Sequence, residues 1–462
     1  MSICTGEKQI RQLKDGNWEH LAGQMIIKRR DNTEEIKGPG FIRQIQQKYF
    51  QIVIFNLSST GGIKENLLKF FAGDGKKPGE IIPASEGYEL ATQEGWKSKN
   101  LTSLDSHHTP DGIIHTTYTR EIFRESKQDS PKAKAGVSYR AFHEYKGYPA
   151  NKPILHQKYV KGDKSFPGWN LCVAEMKSWL YDLRFFVHEG ESVLRLVSNR
   201  DKKKHNDKIE FRAIEALEYV LGEPFEWNIK TVWDSVYRRE HIRLVPEYPK
   251  SYFNCPYCDS WAPRDGSFEM FWGLYSRYLK YILGDKQNNL CAFGVMLKNL
   301  IGLRTPSAEF SSYILALCVA VENLLLEHFI QDVRDHERKT LVNKLKNKVE
   351  AFLKQNTNNN DLAEMIRNHI GRLMPGKETP KRTLDRLIDE KKISKKRKQA
   401  WGNLRHKVTH GQHVDFNQRN LNSVGDVEVL LHQLVFQCIG YHGKYVDYGE
   451  IGYPRRKYPK EL

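Results

Sequence analysis

The stretch FSSYILALCVAVENL, residues 310–324, sets Phe310, Ile314, Leu317, Val321 and Leu324 at spacings of four, three, four and three. Such spacing places all five on one face of an α-helix. Working outward, the same period recurs on both sides. Phe268, Trp272, Tyr275, Leu279 and Ile282 form an earlier stripe. Leu341, Leu345, Val349 and Phe352 form a later one, followed by Leu362, Ile366, His369 and Leu373. Trp401, Leu404 and Val408 make a fifth, and Val427, Leu431, Leu434 and Cys438 a sixth. Polar loops are expected at Gln355 to Asn360 and Pro375 to Pro380. No strand pattern interrupts these stripes, so a helical bundle is predicted.

Toward the N-terminus the character changes. FQIVIF, residues 50–55, is a strongly β-forming run, and Ile113 to Ile122 carries Thr and Tyr at strand density. A short strand is expected at Ser192 to Val197, a helix through Ile214 and Leu217, and an extended stretch from Phe225 to Val245. Cys172, Met176, Trp179, Leu183 and Phe186 show helical spacing and predict an amphipathic helix. The fold class is therefore α+β, a β-rich N-terminal domain before an all-α bundle. The expected limits are 1–250 for the β-rich domain, 251–300 for a connecting segment, 301–445 for the bundle and 446–462 for a basic tail.

The chain has 462 residues, 39% of them hydrophobic, with 9 Trp, 22 Tyr and 21 Phe, which excludes a disordered protein. Its net charge of +17 favours a polyanionic partner. No uninterrupted apolar run approaches a membrane span, and the first residues, MSICTGEKQIRQLKDG, lack the apolar core of a secretory signal. Seven scattered cysteines, an odd number, point to a reducing compartment, so a cytoplasmic location without membrane partners is expected.

The segment NLRHKVTHG, residues 403–411, carries Arg405, a polar His406, and His410 followed by glycine. It resembles the motif of the HEPN superfamily of helical ribonucleases, over roughly residues 300 to 445. A second Arg-x4-His, Arg200 to His205, lies in a hydrophilic link without apolar anchors and reads as a solvated turn. The resemblance implies Arg405 and His410 as a catalytic pair, with Glu322, His406 and Asn403 in support. The chemistry is apt. Histidine serves as acid or base near neutral pH, and arginine offers phosphate a fixed cationic fork. Residues five apart on a helix diverge by about 140°, so His410 is expected to leave the regular helix, with Gly411 ending it.

One such pair is half a site. The resemblance implies a homodimer, or a higher even oligomer, that joins two pairs, and RNA cleavage with no cofactor. The run KKISKKRK, residues 391–398, holds six basic residues in eight and leads into the motif. Lys395, Lys396, Arg397 and Lys398 are the RNA-binding candidates. Cys255 and Cys258 have zinc-knuckle spacing. Tetrahedral zinc needs four ligands and no second CxxC exists; Cys291 and His241 are distant candidates to complete it. The pair therefore reads as part of a structural zinc site, as a turn or, less favoured, as a glutaredoxin-like redox motif. A β-rich front before a C-terminal HEPN bundle is similar to the layout of ApeA-like abortive-infection proteins, and Trp18 to Phe41 resembles the front of that family. This likeness implies a sensing or regulatory front domain, a toxic endoribonuclease effector in antiphage defence, and a phage-derived trigger. The rival expectation is a HEPN-like module that binds nucleic acid or a protein partner without cutting.

Overall fold

The computed structural model describes residues 7–30, 35–46, 48–56, 88–101, 105–109, 112–127, 135–142, 171–176, 179–188, 191–198, 207–245, 253–256, 267–284, 297, 299–301, 310–330, 336–356, 364–365 and 378–459. The chain divides into two units. The first comprises 1–250 with 278–284, and the second 251–277 with 285–462.

The first unit begins with helix α1 (Glu7–Lys14) and continues through strands β1 (Glu19–Arg29), β2 (Glu35–Ile45), β3 (Tyr49–Asn56), β4 (Tyr88–Thr92), β5 (Trp96–Leu101), β6 (Asp105–Thr109) and β7 (Gly112–Thr119). Then come β8 (Glu121–Lys127), β9 (Gly136–Ala141), β10 (Leu171–Met176), β11 (Trp179–His188), β12 (Glu191–Ser198), helix α2 (Asp207–Leu221), β13 (Ile229–Trp233) and β14 (Tyr237–Arg243). The strands form one 14-stranded sheet in the order β10-β11-β12-β9-β13-β14-β8-β5-β4-β1-β2-β3-β7-β6. The FQIVIF run explains its own burial: Phe50, Ile52 and Ile54 point inward on alternate positions and are fully buried. Trp18 meets Phe50 and Trp96 edge-on, at centroid distances of 5.5 and 5.6 Å. Leu13 from α1 joins this cluster, and Gln44 donates to its carbonyl at 3.1 Å.

One expectation fails here. Cys172, Met176, Trp179, Leu183 and Phe186 lie on the strands β10 and β11, not on a helix. Cys172 pairs with Leu183 and Met176 with Trp179 in antiparallel register. A tight hairpin brings residues three and eleven apart side by side, and such spacings mimic a helical face.

The second unit holds helices α3 (Ser267–Gly284, its last turns in the first unit), α4 (Phe310–His328), α5 (His336–Asn356), α6 (Pro380–Asp389), α7 (Lys395–Thr409) and α8 (Gln418–Ile439), then a hairpin of β15 (Lys444–Val446) and β16 (Arg455–Lys457). Helices α4, α7 and α8 pack together. Leu317, Val321, Leu404, Val427 and Leu434 are all at most 2% exposed. Helix α4 alone among the described helices is long and apolar enough to cross a membrane, and its apolar face lies within this bundle. The stripe of α5 is less enclosed, with Leu345 and Phe352 exposed. The stripe from Leu362 to Leu373 lies almost wholly outside the described residues.

Two of the expected limits are corrected. Residues 253–256 are no mere connection, because Tyr448 donates to the Cys255 carbonyl at 2.7 Å and Asn254 to Glu428 at 2.7 Å. Nor do residues 446–459 trail off as a tail. Val446 N–H donates to the Pro256 carbonyl at 3.1 Å, and Asp447, Tyr448 and Tyr458 are buried. Helix α6 was not foreseen either. Thr379 caps it, and Pro380 fills its first turn, where a missing N–H costs nothing.

Candidate active site

Helix α7 carries the Arg405/His410 motif and is fixed at both ends. Ser394 Oγ accepts from the Arg397 N–H at 3.4 Å, an N-cap. At the other end Gly411 adopts φ +68° and donates to the Val408 carbonyl, while Gln412 donates to that of Lys407. This double contact is a Schellman closure, and a residue without Cβ suits its left-handed position. The helix stops at Thr409 with His410 as its C-cap, as the sequence suggested. On the inner face Ala400, Trp401 and Leu404 are buried, and the Trp401 indole N–H donates to the Cys318 carbonyl at 3.2 Å.

The outer face lines an open cleft of about 1400 Å³. Arg405, His406, His410, Asn403 and Glu322 all line it, so the structure gathers the catalytic candidates with their supports. The cleft is broad enough to take in side chains that diverge around the helix. Arg405 Nε and Nη2 donate to the two Glu322 oxygens at 2.8 and 3.1 Å. Its guanidinium also lies 5.7 Å from the Trp401 ring centre. Two of an arginine's five donors are thus engaged by Glu322, leaving three able to meet an anion. The His406 and His410 rings, one helical turn apart, meet edge-on at 4.4 Å between centroids.

The four basic candidates separate. Lys395 and Lys398 line the cleft, Lys398 in contact with Asp385. Lys396 pairs with Asp426 at 3.0 Å and donates to the Gly449 carbonyl at 2.9 Å. Arg397 pairs with Asp447 at 2.8 Å. Neither of these two lines the cleft; they fasten α7 to α8 and to the hairpin.

Cys255 is buried, and Cys258 and Cys291 lie outside the described residues. Among the described residues no cluster of three or more His, Cys, Asp or Glu side chains is placed to hold a metal ion. Arg200 to His205 also lie outside the described residues. His241, distant in sequence, pairs with Glu121 at 2.7 Å.

The sequence reading missed a second polar group. Glu428 of α8, wholly enclosed, accepts from Tyr313 and from Asn254, and burial pushes its carboxyl up to about 7. One turn on, the buried His432 ring meets the Asn254 carbonyl at 3.2 Å, and burial depresses its imidazole to about 3. Also missed were Gln399, Gly402, Arg419 and Asn420 in the cleft wall. The polar character of the exposed face of α7 and of the first turn of α8 was their available signal. Compared with known proteins, the chain matches no family model, no curated protein and no solved structure.

Proposed function

We propose that the chain is a metal-independent endoribonuclease that cleaves RNA by attack of the 2′-hydroxyl. The observation that carries this reading is the gathering of Arg405, His406 and His410 in one open cleft at the end of one helix, with Glu322 orienting Arg405. A neutral histidine takes the 2′-OH proton as the oxygen attacks phosphorus. An imidazolium gives a proton to the departing 5′-oxygen as its bond to phosphorus breaks. The guanidinium steadies the charge on the non-bridging oxygens between these steps. One chain supplies one Arg405/His410 pair, so the reading includes pairing of two chains. The wider role rests on the likeness of layout alone. It is a toxic antiphage effector in the cytoplasm, restrained by the first unit until a phage-derived trigger arrives.

The test uses the full chain and a labelled RNA. The products should be a 2′,3′-cyclic phosphate and a 5′-hydroxyl, cutting should survive EDTA, and 2′-deoxy at the scissile position should resist. His410→Ala should lose about a hundredfold or more in rate. Arg405→Lys should also fail, since an ammonium cannot reproduce the guanidinium's planar fork. Loss of cutting in EDTA, or full activity in both variants, would overturn the reading. One observation favours a second reading, a module that binds without cutting: the Glu322 carboxylate already occupies one side of the Arg405 fork. Under that reading both variants retain function, and expression of the wild-type chain is not toxic.

A further inference from the structure

Gly402 stands eight residues into the fifteen-residue helix α7, and a helix interior disfavours glycine more than any residue except proline. Two other glycines of this unit have local reasons, whereas Gly273, inside α3, has none. Gly411 adopts a positive φ, and a Cβ on Gly425 would lie 2.1 Å from the Tyr448 carbonyl oxygen. Gly402 has neither reason: its φ is not in the positive range, and a Cβ there would meet nothing within 4 Å. Its effect is to leave a bare strip of helix backbone in the wall of the cleft.

The surroundings of that strip are polar. Gln399 and Asn403 flank it on α7, and Arg419 and Asn420 reach the cleft from the first turn of α8. Lys395 lies two turns toward the helix start. Exposed backbone without Cβ admits close approach of a flat group. Side-chain amides match the donor and acceptor edges of a nucleobase, and cations on either side suit the phosphates that flank it. Along the axis Gly402 lies about 6 Å from His406 and about 12 Å from His410, at 1.5 Å per residue.

We infer that the Gly402 floor is a subsite for an unpaired nucleobase of single-stranded RNA, adjoining the cutting end of the helix. Its place in the reaction rests on the ribonuclease reading above; its binding does not. The base lies on the backbone at Gly402, and Gln399 and Asn403 address its edge.

The experiment measures fluorescence polarisation of labelled six-nucleotide A and U strands on the full chain carrying His410→Ala, which prevents cutting. Gly402→Leu should weaken binding at least tenfold, and Gly402→Ala less. Both should melt at the same temperature as the parent or higher, because each replaces glycine by a better helix former. Binding of Gly402→Leu within twofold of the parent, or no binding of either strand to the parent, would overturn the inference. AMP bound as tightly as the six-nucleotide A strand would mark a free-nucleotide site and overturn it as well. The two proposals fail separately. Gly402-dependent binding by a chain that never cuts RNA leaves the subsite standing and removes the ribonuclease reading. Cutting and binding both unaffected by Gly402→Leu remove the subsite alone.

Discussion

At the scale of residues, the Arg405–Glu322 pair is an orienting contact more than a stabilising one. The arginine side chain is 41% exposed and the glutamate 27%, so solvent screens the attraction. Glu322→Gln should therefore change stability by less than about 1 kcal/mol. It should lower the cleavage rate about tenfold with a smaller effect on KM, because the guanidinium loses its fixed direction. Glu322→Asp should recover part of that loss, and an unchanged rate in Glu322→Gln would remove the orienting role. The pair was legible in the sequence only as a choice, because an acid on an apolar helix can equally sit at its edge.

Glu428 and His432 lie deeper and act on stability through pH. Burial raises the Glu428 carboxyl to about 7 from an ordinary 4.5, so its contribution is full below 4.5 and is lost as pH climbs through 7. The loss is of order 3 kcal/mol, at about 1.4 kcal/mol per unit. Burial lowers His432 from 6.5 to about 3, so its contribution is full above 6.5 and is lost as pH falls toward 3. The two trends oppose each other between pH 4.5 and 6.5. Glu428→Gln should remove the alkaline loss, so its melting temperature should gain on the wild type between pH 5 and pH 8. An identical pH profile would show that the carboxyl titrates normally.

At the scale of elements, the sequence showed most where one face of an element is apolar. Phe310 to Leu324 and Phe50 to Phe55 adopt the expected helix and strand because burial of one face enforces one period. Cys172 to Phe186 misled because cross-strand partners in a short hairpin repeat at helix-like intervals. Helix α6 escaped notice because its core contribution is small, with Thr383, Leu384 and Leu387 buried. Only its cap, Thr379-Pro380, announces it. At the end of α7 the chain depends on Gly411. Gly411→Ala should cost about 1 kcal/mol, the penalty of a Cβ in the left-handed region. Because His410 precedes it directly, cleavage should fall further than the melting curve accounts for. A stability loss with undiminished cutting would separate the helix end from the chemistry.

At the scale of the whole molecule, the β-rich front and helical rear were evident from the change from strand-like runs to helical stripes. The roles of 253–256 and 446–459 were hidden, since long-range closure leaves no periodic trace. The basic run 391–398 also looked uniform in sequence, yet its members have different occupations. Lys396 and Arg397 are already neutralised by Asp426 and Asp447. Engaged in this way and outside the cleft lining, they are not placed to neutralise phosphates there, so they would release none of the counterions condensed on a bound strand. Ionic strength should therefore act on fewer charges than the six basic residues of the run suggest. For a single strand, each phosphate neutralised contributes about 0.7 to the slope of log affinity against log salt. Lys395→Ala should shallow that slope by about this amount, while Arg397→Ala should leave it unchanged and loosen the fold. Equal effects of the two substitutions on the slope would return the run to an undivided basic patch. The same ion pairs that fasten the helix would thus limit how strongly salt acts on the proposed RNA binding.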